Sequence, residues 1–171
     1  MRLISIAGVA ENRAIGKDGE VPWDIPEDKQ FYRSLAEGHP LIIGRRTFSG
    51  VSVPNADYVV MSRSKRSYNN ERVHAAQSGQ EALTIAKELL ADYDTNTVAN
   101  LGGAEIYDLF MPYTDEMVIS HIKGEYEANT FFPEWNLDDF RVTERDKRDE
   151  FEAVWYEQKN SRPLRDFKGG E

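Results

Sequence analysis

Two kinds of segment alternate along this chain, and the alternation limits the folds open to it. Continuous apolar runs of β type, such as Leu41-Ile42-Ile43 and Tyr58-Val59-Val60-Met61, are separated by stretches of helical period. Apolar runs without polar alternation suit strands covered on both faces. The pattern predicts strands at 2–10, 40–44, 57–62, 72–75, 97–101 and 115–122, with a closing hairpin of about 138–146 and 150–158. Helices fall near 25–37, 45–50, 78–91 and 104–110. The third is marked by a capping box, Ser78-Gly79-Gln80-Glu81, and by Ala82, Leu83, Ala86, Leu89 and Leu90 at three- to four-residue spacing. This is the α/β class: a mostly parallel central sheet, helices on both faces and a C-terminal antiparallel hairpin. A single domain is expected over 1–160. The stretch 161–171, where Pro163, Gly169 and Gly170 mix with charges, reads as a frayed tail.

Charge narrows the function. Thirty acidic residues against 21 basic ones give a net charge of −9, which argues against nucleic acid and anionic membrane surfaces as partners. The same acidity suits a protein kept soluble in strong salt, and equally an ordinary acidic cytoplasmic protein. Cysteine is absent, so disulfides, thiolate metal sites and cysteine nucleophiles are excluded, in keeping with a reducing cytoplasm. The apolar run from Met1 to Ala10 imitates a short signal peptide, but Glu11-Asn12-Arg13 and turn chemistry follow it, so a buried first strand is expected. No apolar stretch approaches the roughly 20 residues that span a bilayer. His39, His74 and His121 are scattered, and no metal site is expected. His121, inside the β run Val118–Ile122, reads as structural.

One carboxylate stands out. In Asp24-Ile25-Pro26-Glu27-Asp28, Asp24 can cap a helix with Pro26 in its first turn. Asp28 then shares an apolar face with Phe31, Tyr32 and Leu35 at i+3, i+4 and i+7. A desolvated carboxylate there can bind a protonatable heterocycle or assist proton transfer. The plainer alternative is a first-turn acid that complements the helix dipole.

Three turns follow strands, where open α/β sheets bind ligands. Gly44-Arg45-Arg46-Thr47 and Leu101-Gly102-Gly103-Ala104-Glu105-Ile106-Tyr107 offer backbone N–H groups, glycines and cations suited to a pyrophosphate. Ser62-Arg63-Ser64-Lys65-Arg66 places hydroxyls and cations where many NAD-binding proteins carry an acid, favouring a 2′-phosphorylated nucleotide. Each turn alone is an ordinary turn or solvated loop; three together indicate a nucleotide-phosphate site. The usual Rossmann and Walker glycine patterns and the serine elbow are absent.

Taken in order, these motifs resemble dihydrofolate reductase. The resemblance covers about residues 2–158 and adds Ile6-Ala7, Ile15-Gly16, Pro22-Trp23, Met61-Ser62-Arg63 and Asn129-Thr130-Phe131-Phe132-Pro133. It implies NADPH-dependent reduction of 7,8-dihydrofolate, with hydride to C6 and protonation at N5. By position, Asp28 would pair with the pterin ring nitrogen and amino group, with Ser120 beside it. Ile6, Ala7, Trp23, Tyr32, Leu101 and Tyr107 would line the substrate pocket. Ala7, Ile15 and Gly16 would meet the nicotinamide end, and Gly44, Arg45, Arg46 and Thr47 the phosphates. Ser62, Arg63 and Ser64 would hold the 2′-phosphate, and Leu101, Gly102, Gly103, Ala104, Glu105 and Ile106 the pyrophosphate. The loop 11–23 would be a lid that excludes water. A monomer in the cytoplasm is expected.

The chain departs from the family at 52–57, where a Pro-Leu-Pro-Gly-Arg type segment often supplies an arginine for the folate α-carboxylate. Ser52-Val53-Pro54-Asn55-Ala56-Asp57 has none. Lys29 and Arg33, four apart on one helix face, are candidate replacements, or else surface charges. Rival readings are a same-fold riboflavin-pathway pyrimidine reductase, a non-catalytic folate or nucleotide binder, and an interaction module. The Trp23 and Asp28 context favours folate.

Overall fold

The computed structural model describes residues 1–169. Its central sheet contains β1 (Arg2–Ala10), β3 (Leu41–Gly44), β4 (Tyr58–Met61), β5 (Val73–Ala76), β6 (Thr97–Asn100), β7 (Glu116–Ile122), β9 (Phe140–Lys147) and β10 (Phe151–Gln158). The strand order is β5-β4-β3-β6-β1-β7-β10-β9. All neighbours from β5 to β7 pair in parallel; β10 pairs antiparallel with both β7 and β9, as the closing hairpin requires.

Period-two alternation in β1 sorts its side chains to two faces. Ile6 joins Tyr32, Leu35 and Ala36 of α1 (Pro26–Ala36) on one. Leu3 joins Ala82, Leu83 and Ala86 of α3 (Gly79–Leu89) and Phe110, the last residue of α4 (Ala104–Phe110), on the other. Two short helical pieces differ from expectation: α2 covers only Arg45–Phe48, and a 3-10 turn over Leu90–Asp92 closes α3.

The capping box at α3 forms in altered shape. Ser78 Oγ accepts from Glu81 N at 3.1 Å, but the Glu81 carboxylate accepts from Gln77 N, not from Ser78. Asp24 does not cap α1. The N-cap is Ile25, buried in the core and without a side-chain cap bond, and Pro26 at the first helical position has no N–H to satisfy. Two short strands lay outside the sequence pattern: β2 (Ala14–Gly16) and β8 (Thr130–Phe131) pair antiparallel with each other.

The tail is docked rather than frayed over its described part. A 3-10 turn at Leu164–Asp166 delivers Phe167, 6% exposed, against Phe110 and Tyr113 at ring distances of 5.2 and 5.1 Å. Gly79 makes the seat: a Cβ there would stand 2.6 Å from the Phe167 ring. Gly170 and Glu171 lie outside the described residues. No helix among the described residues is long and apolar enough to cross a membrane. Phe167→Ala should lower stability by about 3–5 kcal/mol, measured by urea unfolding. A loss under about 1 kcal/mol would mean that the tail is not part of the folded core.

Candidate active site

The site begins with a missing side chain. Gly8 faces α1 from the middle of β1, and a Cβ there would lie 2.9 Å from the Trp23 ring and 3.2 Å from Asp28 Oδ2. Into that space Asp28 packs, 7% exposed, and Trp23 Nε1 donates to its Oδ2 at 3.1 Å. The β1–β7 register sets Ser120 beside Gly8, so the buried Ser120 hydroxyl faces the same carboxylate. Burial raises the Asp28 pKa above its usual 3.8, and the Ser120 and Trp23 hydrogen bonds oppose that rise.

The remaining substrate-side candidates divide between the two faces of the sheet, Ile6 and Leu101 with Tyr32 on the α1 side and Ala7 with Tyr107 on the other. Ile6, Ala7, Leu101 and Tyr107 are buried. Tyr107 OH donates to the Ile6 carbonyl at 2.6 Å, tying α4 to β1, and burial pushes its phenol far up, so it stays an O–H donor. Tyr32 OH reaches the Leu101 carbonyl at 3.4 Å. His121 points to the opposite face, where its Nε2 bonds the Tyr156 hydroxyl at 2.7 Å, in keeping with a structural role.

A second set lies where β3, β4 and β6 end. Gly44 N donates to the Gly102 carbonyl at 2.6 Å, and a Cβ on Gly44 would meet Gly102 O and Gly103 N at 3.4 Å. A Cβ on Gly103 would face Thr47 Oγ1 at 3.2 Å. Gly102, at φ +84°, sits under the Tyr107 ring, and its N–H donates to Asn100 Oδ1 at 3.0 Å. The glycines therefore let the carboxyl ends of two central strands, β3 and β6, pack backbone to backbone, with Gly102 buried and Gly44 and Gly103 half-buried, at the place where an open α/β sheet takes a dinucleotide phosphate. Around it, Arg45, Arg46, Arg63 and Ser64 are exposed, and Thr47 and Ser62 are half-buried.

The 11–23 loop is fastened to the segment before β8. Asn129 accepts from Asp18 N (3.2 Å) and donates to Asp18 Oδ1 (3.0 Å), while its own N–H reaches the Gly16 carbonyl. Ile15 and Gly16 are half-buried within β2. Asn100, which holds the Gly102 N–H, was missed by the residue pattern, its only signal being a polar residue beside a turn, whereas Asn129 stood in the family motif without an assigned role.

Lys29 is exposed, Arg33 half-buried, and neither forms an ion pair among the described residues. Arg72, just before β5, instead lays its guanidinium on the 52–57 loop, donating to Asn55 O at 2.6 Å and to Asp57 at 3.1 Å. No cluster of metal-ligating side chains occurs among the described residues.

The dihydrofolate reductase sequence profile matches residues 2–161. The chain belongs to the dihydrofolate reductase family. Among its relatives, dihydrofolate reductase HdrB of Haloferax volcanii is 32% identical over 165 residues, covering 93% of this chain and 84% of that protein. Dihydrofolate reductase 1 of Haloarcula marismortui is 33% identical, covering 96% of each. A solved dihydrofolate reductase of Enterococcus faecalis, complexed with NADP(H) and RAB-propyl, superposes with a TM-score of 0.79 at 25% identity, covering 92% of this chain and 96% of that one.

Asp28 makes stability depend on pH. Its folded-state pKa is raised, so the folded protein holds this proton more tightly than the unfolded chain. The stabilisation is fully present below the usual 3.8 and is lost as pH climbs through the folded value. Asp28→Asn should therefore raise the neutral-pH Tm, by roughly 2–4 °C per kcal/mol of relieved desolvation. The gain should shrink to nothing in acid; a lower Tm for the variant at pH 7 would contradict the desolvation.

Proposed function

We propose that the buried Asp28 carboxylate binds the pterin of 7,8-dihydrofolate and that the enzyme reduces this substrate with NADPH. The observation that carries the reading is a lone carboxylate, desolvated over Gly8 and held by the Trp23 indole, against a sheet whose strand ends meet at the close-packed glycines Gly44 and Gly102–Gly103. NADPH supplies the hydride that the pterin C6 accepts.

This chain's residues do the rest. Asp28 accepts hydrogen bonds from the pterin ring nitrogen and amino group, and Ser120 fixes the carboxylate's second side. That pairing pulls electron density toward the ring and favours protonation at N5 by water. Trp23, Ile6, Ala7, Tyr32, Leu101 and Tyr107 exclude bulk solvent, which strengthens the Asp28 interaction. The 11–23 loop, fastened through Asn129, closes the nicotinamide end with Ile15 and Gly16. Arg45, Arg46 and Thr47 hold phosphates, the backbone of Gly102 to Ile106 the pyrophosphate, and Ser62, Arg63 and Ser64 the 2′-phosphate. Lys29 and Arg33, one turn apart on α1, clamp the carboxylates of the folate tail. The protein acts as a cytoplasmic monomer.

Loss of NADPH absorbance on adding dihydrofolate tests the reading. Asp28→Asn should slow turnover by at least about a hundredfold at neutral pH while sparing NADPH binding. Full activity in that variant would overturn the role of Asp28. Lys29→Ala with Arg33→Ala should raise the dihydrofolate KM about tenfold with kcat little changed. An unchanged KM would remove the clamp, and a rise on Arg72→Ala instead would move it to the 52–57 loop.

A further inference from the structure

We propose that Glu105 sets the cofactor selectivity of this protein by occupying, in the free enzyme, the guanidinium that the 2′-phosphate of NADPH must take. The inference rests on the assignment of Arg63 made above. Arg63 Nη2 donates to both carboxylate oxygens of Glu105, at 3.0 and 2.9 Å. The partners come from different walls: Arg63 from the turn after β4, Glu105 from the first turn of α4 behind β6. In the sheet β3 lies between those strands, so the pair bridges the end of β3, above Gly44 and the start of α2. A dinucleotide that reaches Gly102–Gly103 with its pyrophosphate and Arg63 with its ribose has to pass this bridge.

The turn and the pair differ in firmness. Ser62 N donates to the Ala76 carbonyl at 3.0 Å, Gln77 Nε2 to the Arg63 carbonyl at 3.3 Å, and the Ser62 and Ser64 hydroxyls lie 3.2 Å apart. The Arg63 and Glu105 side chains, by contrast, are 88% and 78% exposed. An anchored backbone with a solvated ion pair is a contact that breaks easily. A phosphate monoester carries close to two negative charges at neutral pH and displaces a single carboxylate from the guanidinium. The displaced Glu105 carboxylate remains on the neighbouring wall and repels that phosphate. A cofactor with a plain 2′-hydroxyl does not need Arg63 and leaves the pair in place. Glu105 therefore weakens binding of the phosphorylated cofactor alone. Its repulsion also offsets the Arg63 attraction, so this part of the site should respond little to salt.

The test is titration of the folded protein with NADPH and with NADH, in dilute buffer and in about 2 M KCl, for the wild type, Glu105→Gln, Arg63→Gln and the double variant. Glu105→Gln should tighten NADPH about three- to fivefold in dilute buffer and change NADH less than about twofold. The gain should vanish when Arg63 is also replaced and should shrink at high salt. An NADPH Kd that is unchanged or weaker, an equal gain for NADH, or a gain that survives Arg63→Gln would overturn the proposal. Failure of the underlying assignment looks different: the single variant Arg63→Gln would then leave the NADPH-to-NADH ratio of the wild-type protein unaltered.

Discussion

The packing of Asp28 and Trp23 over Gly8 is the contact on which the rest of the site depends. A Cβ at position 8 would collide with the indole and crowd the carboxylate. Burying a carboxylate is costly unless its oxygens find donors, and here the Trp23 N–H and the Ser120 hydroxyl supply them. Each donor comes from a different element: Trp23 from the loop before α1, Ser120 from β7 through its register with Gly8. Loop, helix and two strands are thus locked together at one ionisable group. A group placed there at a cost to stability is what a binding function would require.

The glycine turns at the ends of β3 and β6 are built on a contrasting plan. There the chain packs backbone on backbone at Gly44, Gly102 and Gly103, with Asn100, itself fully buried, accepting from the Gly102 N–H. Its cations stand at the rim in water, against a protein whose net charge is −9. A local cationic rim on an acidic body attracts an anionic cofactor to one place and leaves the remaining surface repulsive. The Tyr107 hydroxyl, bonded to Ile6 O, joins the two halves, so α4 behind the glycines and β1, which carries Gly8, hold a fixed relation.

Much of this was legible in the residues, for physical reasons. Strands β3 and β4 announced themselves because both faces of the sheet are covered and leave no polar alternation. Asp28 was legible because its i+3, i+4 and i+7 neighbours are apolar, which forces a carboxylate toward the core. What failed were features made by distant partners. Strands β2 and β8, of three and two residues, are paired across more than a hundred positions and carry too little pattern to be read. Phe167 is one aromatic in a charged tail, and only the Gly79 seat shows that it is buried. Asp24 looked like a cap, yet the burial of Ile25 moved the helix start past it. The Arg63–Glu105 bridge joins residues 42 apart and depends on strand order, which local sequence does not state.

The most direct measurement is a 13C NMR titration of the Asp28 carboxyl, assigned by comparison with Asp28→Asn, in the free protein and again with folate present. A midpoint above the usual 3.8 in the free protein, in a resonance that shifts when folate is added, is the expected result. A midpoint at or below 3.8, with a resonance indifferent to folate, would contradict both the desolvation of Asp28 and its place in the binding site.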